Sequence, residues 1–508
     1  MKNIYLLLVA VILSGFPRTP VQSADLKLAA LFSDHMVLQR DKPVPVWGWA
    51  TAQEQITVEF AGQKKVATAF NDGKWMVQLD PLSASIQPQS LVVRGVQTLT
   101  VNDVLIGEVW LGSGQSNMAM GVKGCLDFEK EQAAAALPMI RMFKEGSASA
   151  DTPQQTGKGS WDVCSSESVG AFSATLYFFG REIHRELNVP IGLINSSVGG
   201  TPIEAWIADD VQRRQSELQP FFEIQKQQDA TFDVEKIKAS YAKSLAKWEV
   251  QRAKAKADKQ ALPAKPRDPL DVRVRKANIG GLFNGKIAPL IPYAIRGILW
   301  YQGEANANES KSRFYQHQLQ LLIQDWRSRW GEELPIAWVQ LPNFQREGEG
   351  WMEVREAMLK TLKLPNTGMA IAIDIGDAKN IHPQNKQEVG RRLSLWALGD
   401  VYKRNVPSTS GPIPSGHQVN GKEISVLFRH ADGGLKIVGS EPNGFVIAGS
   451  DHQWKPATVR VEGDRIIASH PEVNAPVALR YNWAPMPNGN LINGAGLPAS
   501  PFRTDDSL

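Results

Sequence analysis

From Asp103 onward the chain alternates short apolar runs with amphipathic stretches. The runs are Val104 to Leu111, Ile191 to Ser196, Ile295 to Tyr301, Ile336 to Leu341 and Met369 to Ile375. Between and after them, apolar residues recur at helical spacing near Thr175 to Leu187, Phe314 to Trp330, Val354 to Lys363 and Lys386 to Leu398. Continuous apolar strands separated by helices predict an α/β fold, with a parallel sheet covered by helices on both faces. Residues 25–102 read differently. Val44 to Trp49, Ile56 to Phe60 and Lys74 to Leu79 are β-rich, and Asn71-Asp72-Gly73 marks a turn between two of them. Residues 406–508 repeat that texture in Glu423 to Phe428, Leu435 to Val438, Ala457 to Val461 and Val477 to Tyr481. The pattern predicts an N-terminal β-sandwich-like module over 25–102, a catalytic α/β domain over 103–405 and a C-terminal β-module over 406–508.

One stretch interrupts the α/β pattern. Residues from about 210 to 275 are dense in Lys, Gln and Glu, and Ile237, Tyr241, Leu245 and Trp248 fall on one helical face. Pro263, Pro266 and Pro269 then end the helix. This predicts a helical insertion packed along that stripe, standing either as a flap beside a site or as a solvated excursion.

Composition narrows the partners. A hydrophobic content of 43% and a charged content of 21% describe a globular protein, and the net charge of +4 over 508 residues gives no case for nucleic acid. Lys2, the apolar core Ile4 to Leu13 and the small residues Ser23 and Ala24 read as a secretory signal over 1–24, too short to span a bilayer. The mature chain is therefore expected to be exported, periplasmic or extracellular, with no integral membrane span. Two cysteines, Cys125 and Cys164, leave both a disulfide and a pair of buried thiols open. They have no nearby histidine pattern, so no metal or cofactor is expected. Nothing in the sequence speaks to oligomeric state.

The candidate chemistry lies where the runs end. The first run passes into Gly112-Ser113-Gly114-Gln115-Ser116-Asn117-Met118. A strand that breaks on glycines before a serine exposes a hydroxyl at the carboxyl edge of the sheet, where open α/β sheets bind ligands. The same residues also suit an ordinary strand-to-helix turn with Ser116 as a cap. The second run ends in Val198-Gly199-Gly200-Thr201, whose glycines let backbone N–H groups approach a ligand. The third ends in Trp300-Tyr301-Gln302-Gly303-Glu304-Ala305-Asn306, and the fifth leads to Asp374-Ile375-Gly376-Asp377 and then Ile381-His382-Pro383. A hydroxyl, backbone donors, an asparagine amide and an imidazole at one sheet edge are what acyl transfer requires.

On these motifs, together with Glu204-Ala205-Trp206, Gln384-Asn385-Lys386, Met36 to Arg40, Arg480 to Trp483 and Gly496 to Arg503, the chain resembles the SGNH-type hydrolases and specifically the sialate O-acetylesterase family. The resemblance implies a serine esterase that removes O-acetyl groups from sugars. Ser116 is then the nucleophile and His382 the general base and acid. The backbone N–H groups of Ser116 and of Gly199 or Gly200, with the Asn306 side chain, form the oxyanion hole. SGNH hydrolases commonly carry an aspartate three residues before the histidine, and Lys379 stands there. Asp377 is the expected third member, with Asp374 near; a different group orienting His382, in effect a dyad, remains open, as does Asp377 as a cap of its own loop. Gln115 and Asn117 are expected to orient the serine loop or to bind sugar hydroxyls. Trp206 and Tyr301 are read as stacking on a sugar or as core, Gln302 as substrate-binding, and Glu304 as bracing its loop or touching substrate. The family name gives O-acetylated sialic acid as substrate. Acetylated xylan or xyloglucan, and a non-catalytic carbohydrate-binding role, are the alternatives.

Overall fold

The computed structural model describes residues 25–505 apart from 232, 259, 261, 267 and 270–277. The predicted signal and part of the predicted insertion lie outside the described residues.

The architecture is organised by one long strand, β1 (Thr98–Gly114). Its first half pairs antiparallel with Ser85–Arg94, and Leu105–Gly107 pair in parallel with Val37–Gln39. Its second half enters a sheet with β2 (Ile140–Lys144), β3 (Trp161–Val163), β4 (Ile191–Ser197), β5 (Gly297–Tyr301), β6 (Ile336–Val339) and β7 (Thr367–Ala370), in the order β3-β2-β4-β1-β5-β6-β7. All these neighbours run parallel except β3, which is antiparallel to β2. The chain thus winds to one side of β1 through β2 and β4, and to the other through β5, β6 and β7. That reversal places a crevice at the carboxyl end of β1.

Burial follows from two-sided coverage. Every residue from Val104 to Gln115 is buried, as a strand between two helical layers requires. Side chains alternate between two cores. Ile298 and Trp300 of β5 face helices α4 (Tyr315–Trp330) and α5 (Gly350–Thr361), through Leu322, Trp326, Val354 and Met358. Leu299 and Tyr301 face helices α2 (Ala174–Leu187) and α6 (Lys386–Trp396), through Phe178, Val389 and Leu393. Helix α2 is capped by Ser173 and α6 by Asn385, whose side chains accept from the Leu176 and Glu388 amides. The two helices pack closely at Gly390, where an added Cβ would lie 2.5 Å from Phe178 Cβ.

Further β-sheets lie at both ends of the chain. Lys27–Leu28, Val44–Trp49 and Lys74–Leu79 form a three-stranded sheet. The C-terminal strands form two four-stranded sheets and a two-stranded pair around their own core, including Ile424, Phe445, Ile447 and Tyr481. This part docks on the α/β layer through Arg355. Its buried guanidinium donates to the carbonyls of Ala484 and Pro485 on one side and of Leu341 and Pro342 on the other. The insertion contains helix α3 (Val234–Ala257), none of whose residues is buried. The predicted stripe is its half-buried face, and it packs on the returning proline segment: Trp248 Nε1 donates to Pro263 O at 2.8 Å, and Tyr241 to Pro266 O. Among the described residues, no helix is long and apolar enough to cross a membrane.

Candidate active site

The Ser116 loop is set by the sheet. Gly114, the last residue of β1, has φ +131°, and an added Cβ would sit 2.2 Å from Tyr301 O on the neighbouring strand. Only glycine fits there. The next amide, Gln115 N, donates to Tyr301 O at 2.9 Å, and the chain then turns into the short helix α1 (Ser116–Ala119). Between Val104 and Met118, Ser116 alone reaches the surface. As first residue of a helix, its N–H has no intrahelical acceptor.

His382 arrives from the loop between β7 and α6. Its Nε2 lies 2.8 Å from Ser116 Oγ. Burial lowers the imidazole pKa, and the nearby Lys386 ammonium lowers it further, so the ring is held neutral and able to accept a proton. Gly199 borders the pair, since a Cβ there would lie 3.4 Å from Ser116 Cβ. Gly200 has φ +73° and faces open space. Asn306 is completely buried. Its Oδ1 accepts from Ile203 N and Gln302 Nε2, and its Nδ2 donates to Glu204 Oε2 at 2.9 Å. Its second amide hydrogen has no protein acceptor among the described residues. Glu204 also pairs with Lys311 at 2.5 Å, which braces the far side of this amide.

The structure therefore joins Ser116, His382 and Gly199, with the Asn306 amide anchored beneath the same sheet edge. It does not join Asp377 to His382. Asp377 Oδ1 accepts from the Lys379 and Asn380 amides at 2.7 and 2.8 Å, an Asx-type turn, and no protein group bonds His382 Nδ1 among the described residues. The expected third member is thus a cap of its own loop. Asp374 forms a two-pronged ion pair with Arg392 at 2.7 Å. The substrate-side expectation for Trp206, Tyr301 and Gln302 is also corrected, because their side chains are taken up by interior packing and hydrogen bonds. Trp206 packs edge-on against Trp300 and donates to Thr201 Oγ1. Gln302 is held by Thr201 O, Asn306 and Tyr315. They form the floor that shapes the loops.

Gln115 and Glu304 are nearly as buried, and both brace loops. Gln115 Oε1 accepts from Ala305 N. Glu304 Oε1 accepts from Asn117 Nδ2 at 2.5 Å, and burial raises its carboxyl pKa. Glu304 braces its loop chiefly through the Asn117 side chain. Cys125 and Cys164 are free buried thiols. Burial pushes their pKa values up to about 11 and about 12, so neither is an activated nucleophile. Two participants went unread in the sequence: Glu204 as the partner of Asn306, and Lys386, whose Nζ donates to Asn117 Oδ1 at 2.6 Å. Lys386 carried a signal, since a lysine opening a helix places a cation at the unfavourable end of the helix dipole.

A serine hydroxyl 2.8 Å from an imidazole nitrogen, at the switch point of a doubly covered sheet, is an arrangement that suits a hydrolase acting by acyl transfer. Comparison with known proteins narrows it. Residues 106–239 and 284–397 match the family described as "Carbohydrate esterase, sialic acid-specific acetylesterase". The intervening 240–283, outside the match, contain most of helix α3. The sialate O-acetylesterase of Rattus norvegicus is 29% identical over 533 aligned positions, covering 94% of each chain. That of Homo sapiens is 28% identical, covering 94% of this chain and 92% of its own. The crystal structure of a carbohydrate acetylesterase from Xanthomonas citri superposes with a TM-score of 0.79 at 35% identity, over 95% of this chain and 100% of that one. The chain belongs to the sialic acid-specific acetylesterase family of carbohydrate esterases.

Proposed function

We propose that the chain is an exported SGNH-type serine esterase that removes O-acetyl groups from sialic acid, with Ser116 and His382 acting as a dyad. The observation that carries this reading is the 2.8 Å contact between Ser116 Oγ and His382 Nε2. In the first step Ser116 Oγ attacks the acetyl carbonyl while His382 Nε2 takes its proton. The oxyanion is met by the N–H groups of Ser116 and of Gly199 or Gly200, with the free amide hydrogen of Asn306 as a further donor. The intermediate collapses as His382 returns the proton to the departing sugar oxygen, leaving an acetyl ester on Ser116. Water, deprotonated by His382, then attacks that ester and releases acetate. The proposal keeps the chemistry within 103–405 and gives the flanking modules a supporting role, although the strand Thr98–Gly114 runs across the 102/103 boundary.

Sialate as the substrate is supported by the names of the relatives that span 94% of this chain. The test is acetate release from O-acetylated sialic acid beside acetylated xylan and xyloglucan. Faster release from the sialic acid is expected. Faster release from either polymer overturns the substrate while leaving the mechanism in place.

A further inference from the structure

Behind the Ser116–His382 pair lies a buried polar chain that proton transfer does not use. Asn117, the residue after Ser116, has no exposed surface, and its amide bonds three separate segments. Nδ2 donates to Ile381 O at 3.0 Å, the carbonyl that precedes His382. Nδ2 also donates to Glu304 Oε1 at 2.5 Å, on the loop after β5. Oδ1 accepts from Lys386 Nζ at 2.6 Å, at the start of α6. One side chain thus ties the residue beside the nucleophile to the residue beside the base, and Lys386 fixes which way its amide points.

We propose that Lys386 is a positioning residue for the reaction: through Asn117 it holds the Ser116 and His382 loops in register. This rests on the reading of Ser116 and His382 given above. Lys386 is fully buried, stands at a helix N-terminus and lies with its Nζ 5.0 Å from the Tyr301 ring centroid. Desolvation and the helix dipole both oppose a cation there. Its only hydrogen-bond acceptor among the described residues is Asn117 Oδ1. The ionisable groups around it are Glu304 and Tyr301 from β5 and its loop, Cys125 from the segment after α1, and His382 from its own loop. Glu304 is its sole acidic neighbour in that set, and one Glu304 oxygen, Oε2, has no partner. The ammonium is held with its pKa down at about 8, chiefly by burial, and therefore stays charged at neutral pH.

The sign of the effect on His382 follows. The Lys386 charge disfavours the imidazolium, so removing it raises the His382 pKa and moves the acid limb of kcat/KM to higher pH. A role limited to packing would leave that limb in place. The test uses the full chain with Lys386→Met, and with the double variant Lys386→Met/Glu304→Gln, which removes both buried charges and guards against loss of the fold. Each is expected to lower kcat by about 100-fold with KM nearly unchanged, as loss of alignment does, and to shift the acid limb upward. A folded variant with the parent kcat, or with an unmoved acid limb, overturns the proposal. Ser116→Ala run beside them separates the two levels. If hydrolysis survives in that control, the catalytic reading falls and the proposal with it. If hydrolysis is lost in the control but Lys386→Met behaves like the parent, only the Lys386 proposal falls.

Discussion

The two loops that meet at Ser116 Oγ and His382 Nε2 are built by opposite means. The serine loop is an extension of the core: Val104 to Gln115 are all buried, and Gly114 is pressed against the backbone of β5. The histidine loop is a surface structure. Asp377 to Asn380 are exposed, and their shape comes from one carboxylate bonding two amides. At Ile381 the inner network reaches this loop, through Asn117. Ser116 is therefore placed by packing, which tolerates almost no change, and His382 by turns and a few hydrogen bonds, joining Asn117 to Ile381, Asn343 to Gly376 and Gln345 to Ala378, which tolerate more. Changes to the buried residues that set the serine loop should harm stability and activity together, whereas Ser116 itself reaches the surface. Changes on the histidine loop should harm activity with little loss of stability.

The largest expected effect is Ser116→Ala, which should reduce acetate release by roughly 10⁴-fold or more with an unchanged melting curve. Asn306→Ala comes next, with a loss of about 10²- to 10³-fold in kcat if its free amide hydrogen serves the oxyanion. A loss confined to Tm would return Asn306 to a purely bracing role. Gly114→Ala should destabilise by at least about 2 kcal/mol, read from denaturant midpoints, because the new Cβ meets a carbonyl and the backbone is in a glycine region. On the histidine loop, Asp377→Ala should lower kcat moderately with Tm nearly unchanged, whereas Asp377→Asn should do little, because an amide oxygen still accepts both N–H bonds. A severe loss in Asp377→Asn would restore Asp377 as a third catalytic member. The smallest effect belongs to the insertion. Trp248→Ala removes a contact within a half-exposed pair and should change stability by about 1 kcal/mol or less, with kcat unaffected.

The pH dependence sharpens the same contrast. His382 must be neutral to accept the Ser116 proton, and burial followed by the Lys386 charge holds its pKa below the ordinary imidazole value. Activity should therefore persist below that value and fall as the ring protonates. The measurement is the acid limb of kcat/KM.

What was legible in the sequence divides along the same line. The apolar runs placed the strands and the glycine break placed Ser116, because two-sided burial leaves a continuous hydrophobic signature. Met369 to Ile375 read as one strand, yet the ladder ends at Ala370 while Ile371 to Ile373 stay buried, since burial and strand pairing look alike in sequence. Side-chain direction was not legible. Trp206, Tyr301 and Gln302 stand in suggestive loops, but their interior placement depends on Thr201, Trp300 and Tyr315 meeting them in three dimensions. Asp377 was misread for the same reason, since proximity in sequence to His382 says nothing about which donors its carboxylate faces. The Lys386–Asn117–Glu304 chain joins residues 187 to 269 positions apart or nearly so along the chain, beyond the reach of local pattern.

The most direct measurement is acetate release from an O-acetylated sugar by the purified chain and by Ser116→Ala under the same conditions. The account predicts release by the parent and essentially none by the folded variant. Equal release from both would contradict it, and would remove Ser116 from the chemistry.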